Sequence, residues 1–348
     1  MKIVHITYML TFGGIETMLV NIANEQVRNG HKVSIIVIER NAVNSSLVNK
    51  LDASVKLYFA ERRKNTKDLL ALFRINAFLL GIRPDVIHMH VAGIMRFILL
   101  PGMRKICNST LHAIPDSKNT IAITTVPRVF AISNAVADCL LNNYGVHSIV
   151  NPNGIPCECF KVKRTYSNNF VKIVQVSRLE HLKKGQHLLL EASSILRKRG
   201  YNNFNLTFIG DGESLDYLKQ KSTDLGLSDI VNFMGSKPQD YIFEHLCEYD
   251  LFIQPSIYEG FGLTVAEAMA AKVPVIVSSG QGPEEVINYG EYGCVFENGN
   301  VNDCAAKIEV FLKGENDKQQ IEAAYQRVLQ NYDIKATVFN YLKNYLHR

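Results

Sequence analysis

Short apolar runs rich in β-branched residues alternate along this chain with longer stretches in which apolar residues return at helical spacing. "KIVHITY" reads as a first strand, "TFGG" as a loop, residues 15–29 as a helix closed by "NG", and "KVSIIVI" as the next strand. "DVIHMH", "STLHAI" and "RVFAIS" extend the series. Runs that are apolar almost throughout, separated by helices, predict a parallel sheet covered on both faces. After "VNPNGIPCECFKVKRTYSNNF" the pattern restarts. The strand "VKIVQVS" leads to a helix through "QHLLLEASSILRKRG", then to strands "NLTFIG", "IVNFMG", "DLFIQPS", "VPVIVSS" and "GCVF". The predicted fold class is α/β, with two units in tandem joined around residues 161–169, where the chain is polar and aperiodic. The last stretch, "YDIKATVFNYLKNYLHR", repeats Val338, Tyr341, Leu342 and Tyr345 at helical spacing and reads as an amphipathic helix.

Composition agrees with two domains: 348 residues, 47% of them hydrophobic, suffice for two cores. The net charge of +5 is too small to signal a nucleic-acid partner, and none is expected; it suits an anionic small ligand or an anionic membrane surface. Seven cysteines with no C-x-x-C, and only the C-x-C of Cys157 and Cys159, read as free thiols in a reducing compartment, which points to the cytoplasm. The N-terminal "MKIVHITYML" alternates too strictly for a signal segment and reads as a buried strand. No apolar run is long enough to span a bilayer.

In open α/β sheets, ligands bind beyond the carboxyl ends of the strands, and two such units facing one another would form a cleft there. The unusual residues of this sequence fall at those ends. "TFGGIE", with Gly13 and Gly14, follows the first strand; His90 ends "DVIHMH" and His112 ends "STLH". Arg178, Lys183 and Lys184 follow "VKIVQVS" and precede a helix, an arrangement that suits a diphosphate and equally describes an ordinary basic loop. Neither G-x-G-x-x-G nor G-x-x-x-x-G-K-[ST] occurs, so Gly13-Gly14 is either a tight turn or a place where a ligand approaches backbone. "GDGES", residues 210–214, reads as structural capping with a lesser claim on a nucleotide.

"YEGFGLTVAEAMAA", residues 258–271, follows "DLFIQPS". Gly260 and Gly262 leave amides open just before a helix that starts near Leu263, so the amides of Gly260, Phe261, Gly262 and Leu263 could cradle an anion. Glu259 lies in the loop. Glu267, inside the helix, shares the face of apolar residues, which weakens a purely solvated reading. A carboxylate is a good acceptor for paired sugar hydroxyls.

"EGFGLTVAE", two glutamates with seven residues between them, resembles the signature of the retaining GT-B glycosyltransferases of the GT4 family (glycosyl transferases group 1). "SRLEHLKKG" resembles that family's donor-phosphate motif, "GGIE" its N-terminal glycine loop and "NPNGI" its interdomain segment. The resemblance runs in order along nearly the whole chain. It implies two Rossmann-like domains facing each other across a cleft: residues 1–165 for the acceptor, completed by a helix over 333–348, and 166–332 for the nucleotide-sugar. Implied roles are Glu259 for hydroxyls of the transferred sugar and Glu267 for the ribose. Arg178 and Lys184 would neutralise the leaving diphosphate, and Gly14, beside Gly13, would lie against it. His112 resembles the family's N-domain active-site histidine; His90 reads as a packing or supporting histidine. The family retains anomeric configuration, and no protein nucleophile is assigned.

No D-x-D occurs, so the usual carboxylate pair for a metal–diphosphate bridge is missing. The expectation is metal independence and no cofactor, with the nucleotide-sugar, a UDP-sugar, as substrate and a glycan or glycolipid as acceptor in cell-surface polysaccharide synthesis. Rival readings are a nucleotide-sugar epimerase of the same fold and a non-catalytic nucleotide-sugar-binding subunit; a dinucleotide dehydrogenase is disfavoured by the missing glycine motif. Residues 61–82 join Arg62, Arg63, Lys64 and Lys67 to Leu69, Leu70, Phe73 and Leu80. They describe either a core helix with a solvated start or a peripheral anchor at the inner membrane face.

Overall fold

The computed structural model describes residues 1–11, 13–63, 68–113, 120–166, 169–314 and 317–345. It divides into two compact units, one of Met1–Ile155 together with the stretch from Ile334 onward, the other of Pro156–Asp333.

Unit 1 is built on seven strands, β1 (Lys2–Thr7), β2 (Lys32–Glu39), β3 (Lys56–Arg62), β4 (Val86–Met89), β5 (Cys107–Leu111), β6 (Arg128–Ala131) and β7 (Ile149–Val150). Every neighbour is parallel, in the order β3-β2-β1-β4-β5-β6-β7. Helices cover both faces, so Ile3, Val4, Ile6, Ile35, Ile36 and Ile87 are fully buried. The strand pattern of the sequence missed β3 and the two-residue β7. In β3 only Ala60 is buried, because it is an edge strand with little apolar surface to hide.

Unit 2 repeats the plan with β8 (Val171–Val176), β9 (Phe204–Ile209), β10 (Val231–Phe233), β11 (Leu251–Gln254), β12 (Val275–Ser278) and β13 (Cys294–Phe296), again all parallel, in the order β10-β9-β8-β11-β12-β13. In both sheets the chain direction of growth reverses beside the first strand, between β1 and β4 and between β8 and β11. At such a reversal the neighbouring connections leave toward opposite faces, and a crevice opens at the carboxyl ends.

The change of unit falls at Ile155–Pro156, ahead of the boundary at 165 expected from the sequence. Residues 160–163 are already fastened to unit 2: the Phe160 ring meets Phe243 at 4.7 Å, Lys161 N donates to Phe243 O at 2.9 Å, and Lys163 N donates to Ala271 O at 2.9 Å.

The last helix, Ile334–Tyr345, packs in unit 1 against Ile3, Met18, Ile22, Val86 and Phe130. Its buried face carries Val338, Tyr341 and Tyr345, the positions picked out by helical spacing, while Leu342 is only partly buried. Arg128 donates to Tyr345 O at 2.7 Å, placing a cation at the carboxyl end of the helix. The "NPNGI" segment is tied to the helix start, with Asn151 Nδ2 donating to Thr337 O at 3.2 Å and Thr337 Oγ1 donating to Pro152 O at 3.0 Å.

The helix Leu69–Ile82 buries Ala71, Ile75, Asn76 and Leu79, and Asp68 caps its start by accepting from Ala71 N at 3.2 Å. Its outward face is not solvated in the ordinary way: Leu69, Leu70, Phe73 and Leu80 are 54–66% exposed. Lys64 and Lys67 of the adjoining basic cluster lie outside the described residues. Among the described residues no helix is long and apolar enough to cross a membrane. All seven cysteines are free.

Tyr341 is fully buried, with its ring 4.8 Å from His88 and 4.9 Å from Phe130, and its hydroxyl 2.9 Å from Thr110 Oγ1. Tyr341→Ala is expected to lower stability by about 3–5 kcal/mol through the cavity left behind. Tyr341→Phe should cost only about 1 kcal/mol, for one hydrogen bond. Urea unfolding of the full chain measures both.

Candidate active site

The candidate residues of unit 2 gather at the carboxyl ends of β8 and β11. The loop after β8 carries Arg178 and closes in a short helix, His181–Lys184, ended by Gly185 in the left-handed region at φ +68°. A Cβ at Gly185 would stand 1.8 Å from Pro255 O, so both the turn and the close approach demand glycine. The approach lets Lys183 O accept from Ile257 N at 2.9 Å and from Tyr258 N at 3.1 Å. These bonds fasten the two loops together and bring Lys184 Nζ onto the Glu259 carboxylate in a direct ion pair.

Glu259 is also held from the other side. Its amide donates to Gln281 Oε1 at 2.9 Å, and its carbonyl accepts from Gly282 N at 2.9 Å. Gln281, on the loop after β12, has no counterpart in the sequence reasoning; only proximity in the fold reveals it. Gly262, at φ +94°, starts the helix Leu263–Ala270 with no side-chain cap, leaving its first amides open to an anion. Phe261 turns its side chain inward, 5% exposed and edge-on to Tyr332 at 5.6 Å, so only its backbone remains at the loop surface.

The cations divide. Arg178 is exposed and makes no ion pair among the described residues, while its carbonyl is held by Gln186 Nε2 at 2.9 Å. Lys183 is compensated by Glu180 at 2.6 Å. The "GDGES" turn is tied to the loop after β8: Leu179 N donates to Asp211 O and Ser214 N to Leu179 O, both at 3.0 Å.

Glu267 is partly buried in the helix whose other members include buried Val265, Ala266, Ala268 and Met269. Burial in this apolar setting pushes its carboxyl up to about 8. It has no ionic partner among the described residues.

In unit 1, Gly13 is the uncapped N-terminal residue before the helix Gly14–Arg28, reached by the loop after β1. His90 follows β4 and His112 follows β5. Sequence reasoning named these two and missed their companions. His5 on β1 stands in register with His88 on β4. His88 and His90 stack with centroids 4.8 Å apart and planes within 1°, and His90 lies 5.5 Å from His112. Ring nitrogens join His5 to His90 at 3.1 Å and His90 to His112 at 3.2 Å. Burial drives all four rings toward the neutral form, His5 and His112 down to about 4 and His88 and His90 well below the usual imidazole range. The "HMH" alternation was the available signal: imidazoles two apart on a strand share a face. Of the "LHAIPD" segment, residues 114–116 lie outside the described residues.

Two parallel-sheet Rossmann-like units, each with its polar residues at the carboxyl-end crevice, define an α/β protein of the GT-B architecture. The solved structure of Anabaena Alr3699/HepE in complex with UDP and glucose shares it, with a TM-score of 0.79 over 99% of this chain and 98% of that one at 20% identity. Residues 12–158 match the family model for Glycosyltransferase Family 4 and residues 160–327 that for Glycosyl transferases group 1. The chain belongs to this GT4-type glycosyltransferase family. Among relatives, the amylovoran biosynthesis glycosyltransferase AmsK of Erwinia amylovora is 34% identical over 171 residues, which is 47% of this chain and 42% of AmsK. An uncharacterized glycosyltransferase of Haemophilus influenzae is 23% identical across 94% of both chains.

The raised Glu267 carboxyl sets the sign of a pH effect. As pH rises above the ordinary carboxyl range, the unfolded chain releases this proton while the folded chain keeps it up to about 8, so folding loses stability across that window. Glu267→Gln is expected to stabilise the ligand-free protein, with a gain that grows from pH ~4.5 to pH ~8 and then levels off. Denaturant midpoints across that range read it directly; a gain that shrinks with rising pH would contradict the assignment.

Proposed function

We propose that this protein is a retaining glycosyltransferase that moves a sugar from a nucleotide-sugar, a UDP-sugar, to a glycan or lipid-linked saccharide in cell-surface polysaccharide synthesis. The observation that carries this reading is the coincidence, at one crevice of unit 2, of the Lys184–Glu259 pair, the exposed Arg178, an uncapped helix start and the Glu267 carboxyl, raised by burial. That set matches the needs of a diphosphate flanked by two hydroxyl-rich sugars. The UDP and glucose named with HepE, and the amylovoran named with AmsK, support the donor and acceptor classes.

In the proposed reaction the bond between the anomeric carbon and the diphosphate oxygen breaks. A bond to the acceptor oxygen forms on the same face, and the acceptor proton passes to the leaving diphosphate. Negative charge grows on the diphosphate as positive charge grows on the sugar. Arg178, Lys184 and the amides from Gly260 to Leu263 stabilise the former, and in a water-poor site such fixed charges are the largest catalytic contribution. Glu259 accepts from hydroxyls of the transferred sugar and Glu267 from the ribose. With side chains and amides neutralising the leaving group, no metal ion or other cofactor is required.

Arg178→Ala and Lys184→Ala are each expected to reduce turnover roughly 10²-fold, and EDTA to leave wild-type turnover unchanged. A thermal-shift screen with UDP-, GDP-, ADP- and CMP-sugars identifies the donor, since a ligand that binds only the folded state raises apparent stability. A flat response to every donor, or activity restored to an EDTA-treated sample by magnesium, would overturn the reading. Isomerised donor without acceptor would point to the epimerase, and binding with neither hydrolysis nor transfer to the non-catalytic subunit.

The apolar outward face of the helix Leu69–Ile82 favours peripheral contact with the inner membrane face. Leu70, Phe73 and Leu80 project from one side of it, and a depression lined by Arg40, Arg63 and Arg74 together with Glu61 and Asp68, the first of these acids paired to Arg40, adjoins its start. Apolar insertion beside basic residues is the chemistry of anionic bilayer binding. The doubly substituted Leu70→Ser, Phe73→Ser chain should bind anionic vesicles at low salt at least ~10-fold more weakly, by the apolar area withdrawn. Its melting temperature should stay unchanged, because both side chains are exposed. Equal sedimentation of wild type and variant with vesicles would refute the contact.

A further inference from the structure

A chain of hydrogen bonds in unit 1 begins at Gln26, fully buried in the helix Gly14–Arg28. Gln26 directs its Nε2 to the Tyr345 hydroxyl at 3.2 Å and its Oε1 to His5 Nε2 at 2.8 Å. His5 Nδ1 meets His90 Nε2 at 3.1 Å, and His90 Nδ1 meets His112 Nε2 at 3.2 Å. A neutral imidazole has one donor nitrogen and one acceptor nitrogen, so the polarity of the first contact passes through every ring. An amide oxygen only accepts, so His5 carries its proton on Nε2. Its Nδ1 then accepts from His90 Nε2, and His90 Nδ1 accepts from His112 Nε2.

We propose that Gln26, His5 and His90 are positioning residues for His112: the one-way chain through them holds His112 as the neutral Nε2–H tautomer and leaves its Nδ1 as a hydrogen-bond acceptor. The inference rests on reading His112 as a residue of the transfer site. His112 Nδ1 is enclosed and has no well-formed hydrogen bond among the described residues, with the Asn153 side chain near the ring. A proton added to either inner ring would set two N–H groups against each other, which the buried chain opposes. The consequence for transfer is chemical. A neutral ring adds no charge beside the reacting sugar, whereas an imidazolium would repel the positive charge that develops there.

The second strand of the network anchors the first. The Tyr345 hydroxyl, accepting from Gln26, donates to His88 Nδ1 at 2.6 Å, and His88 Nε2 donates to Thr110 Oγ1 at 2.8 Å. Turning the Gln26 amide over would reverse all three rings of the relay together, so the wild-type protein has one of two readable states.

The test is imidazole proton–nitrogen correlation on the full chain labelled with ¹⁵N-histidine at neutral pH, with signals assigned by their loss in His5→Gln, His90→Gln and His112→Ala. The expected pattern is protonated Nε2 and bare Nδ1 at His5, His90 and His112 alike. In His90→Phe the His112 pattern should become mixed, because the ring no longer has an acceptor. In His90→Gln, whose amide can donate to His5 and accept from His112, the wild-type pattern of His112 should return. Turnover should follow: about tenfold lower kcat in His90→Phe with donor KM within twofold, and most of the loss restored in His90→Gln. Protonated Nδ1 at His112 in the wild type, different tautomers among the three rings, or an unaltered His112 pattern in His90→Phe would overturn the proposal. If His90→Phe fails to fold, the assigned wild-type spectrum decides. Because the tautomer is read without substrate, a protein that transfers no sugar yet shows the expected pattern defeats the proposed function and leaves the relay standing.

Discussion

The carbonyl of Lys183 accepts amide hydrogen bonds from both Ile257 and Tyr258, and the candidate site of unit 2 depends on that junction. Residues 183 and 257 belong to loops that follow β8 and β11, adjacent parallel strands of one sheet. Gly185 lets the first loop press its backbone against Pro255. Once the two are joined, Lys184 and Glu259 meet, and Glu259 is braced in turn through Gln281. Opposite charges seventy-five positions apart in sequence become one rigid element, poised beside an uncapped helix start. Rigid placement of this kind is what lets fixed charges act on a leaving group without first having to reorganise.

Unit 1 meets the same geometric requirement with different chemistry. Its central strands depart from the continuous apolar pattern of a doubly covered parallel sheet, placing His5, His88, Thr110 and Asn108 in the interior. Each departure is satisfied by hydrogen bonds, to Tyr345, Gln26, Tyr341 or the backbone. The last helix therefore completes a polar network as well as an apolar core. Neutral, hydrogen-bonded imidazoles are compatible with burial, whereas protonation at acid pH favours the unfolded chain, in which the rings are solvated, and so lowers the stability of the fold.

Much of the fold was readable because parallel strands buried on both faces write themselves as apolar runs. β1, β2, β4 and β8 appear that way, and the restart near β8 marks the second unit. β3 was not readable, since an edge strand with one buried residue carries no such run. The outward face of the helix Leu69–Ile82 could be read two ways, because a helix apolar all round does not disclose which side the sheet covers. The unit boundary moved for a similar reason: residues 160–163 look like a polar linker, yet their backbone pairs with Phe243 and Ala271.

The sequence by itself determined the α/β class, the two tandem units, the residues that stand beyond the strand ends, Gly13, Gly14, His90, His112, Arg178, Lys184 and Glu259, and Glu267 in the helix that follows. Those follow from period, spacing and the resemblance of "EGFGLTVAE" and "SRLEHLKKG" to GT4 motifs, all local in the chain. Only the tertiary structure decided that Lys183 is neutralised by Glu180 while Arg178 remains exposed, that Phe261 packs inward, that Gln281 holds Glu259, and that His5 and Gln26 stand behind His112. The reason is physical. Local pattern fixes which way a side chain leaves its own strand or helix, but a hydrogen-bond or ionic partner is chosen by whichever distant segment the sheet order brings within about 3 Å.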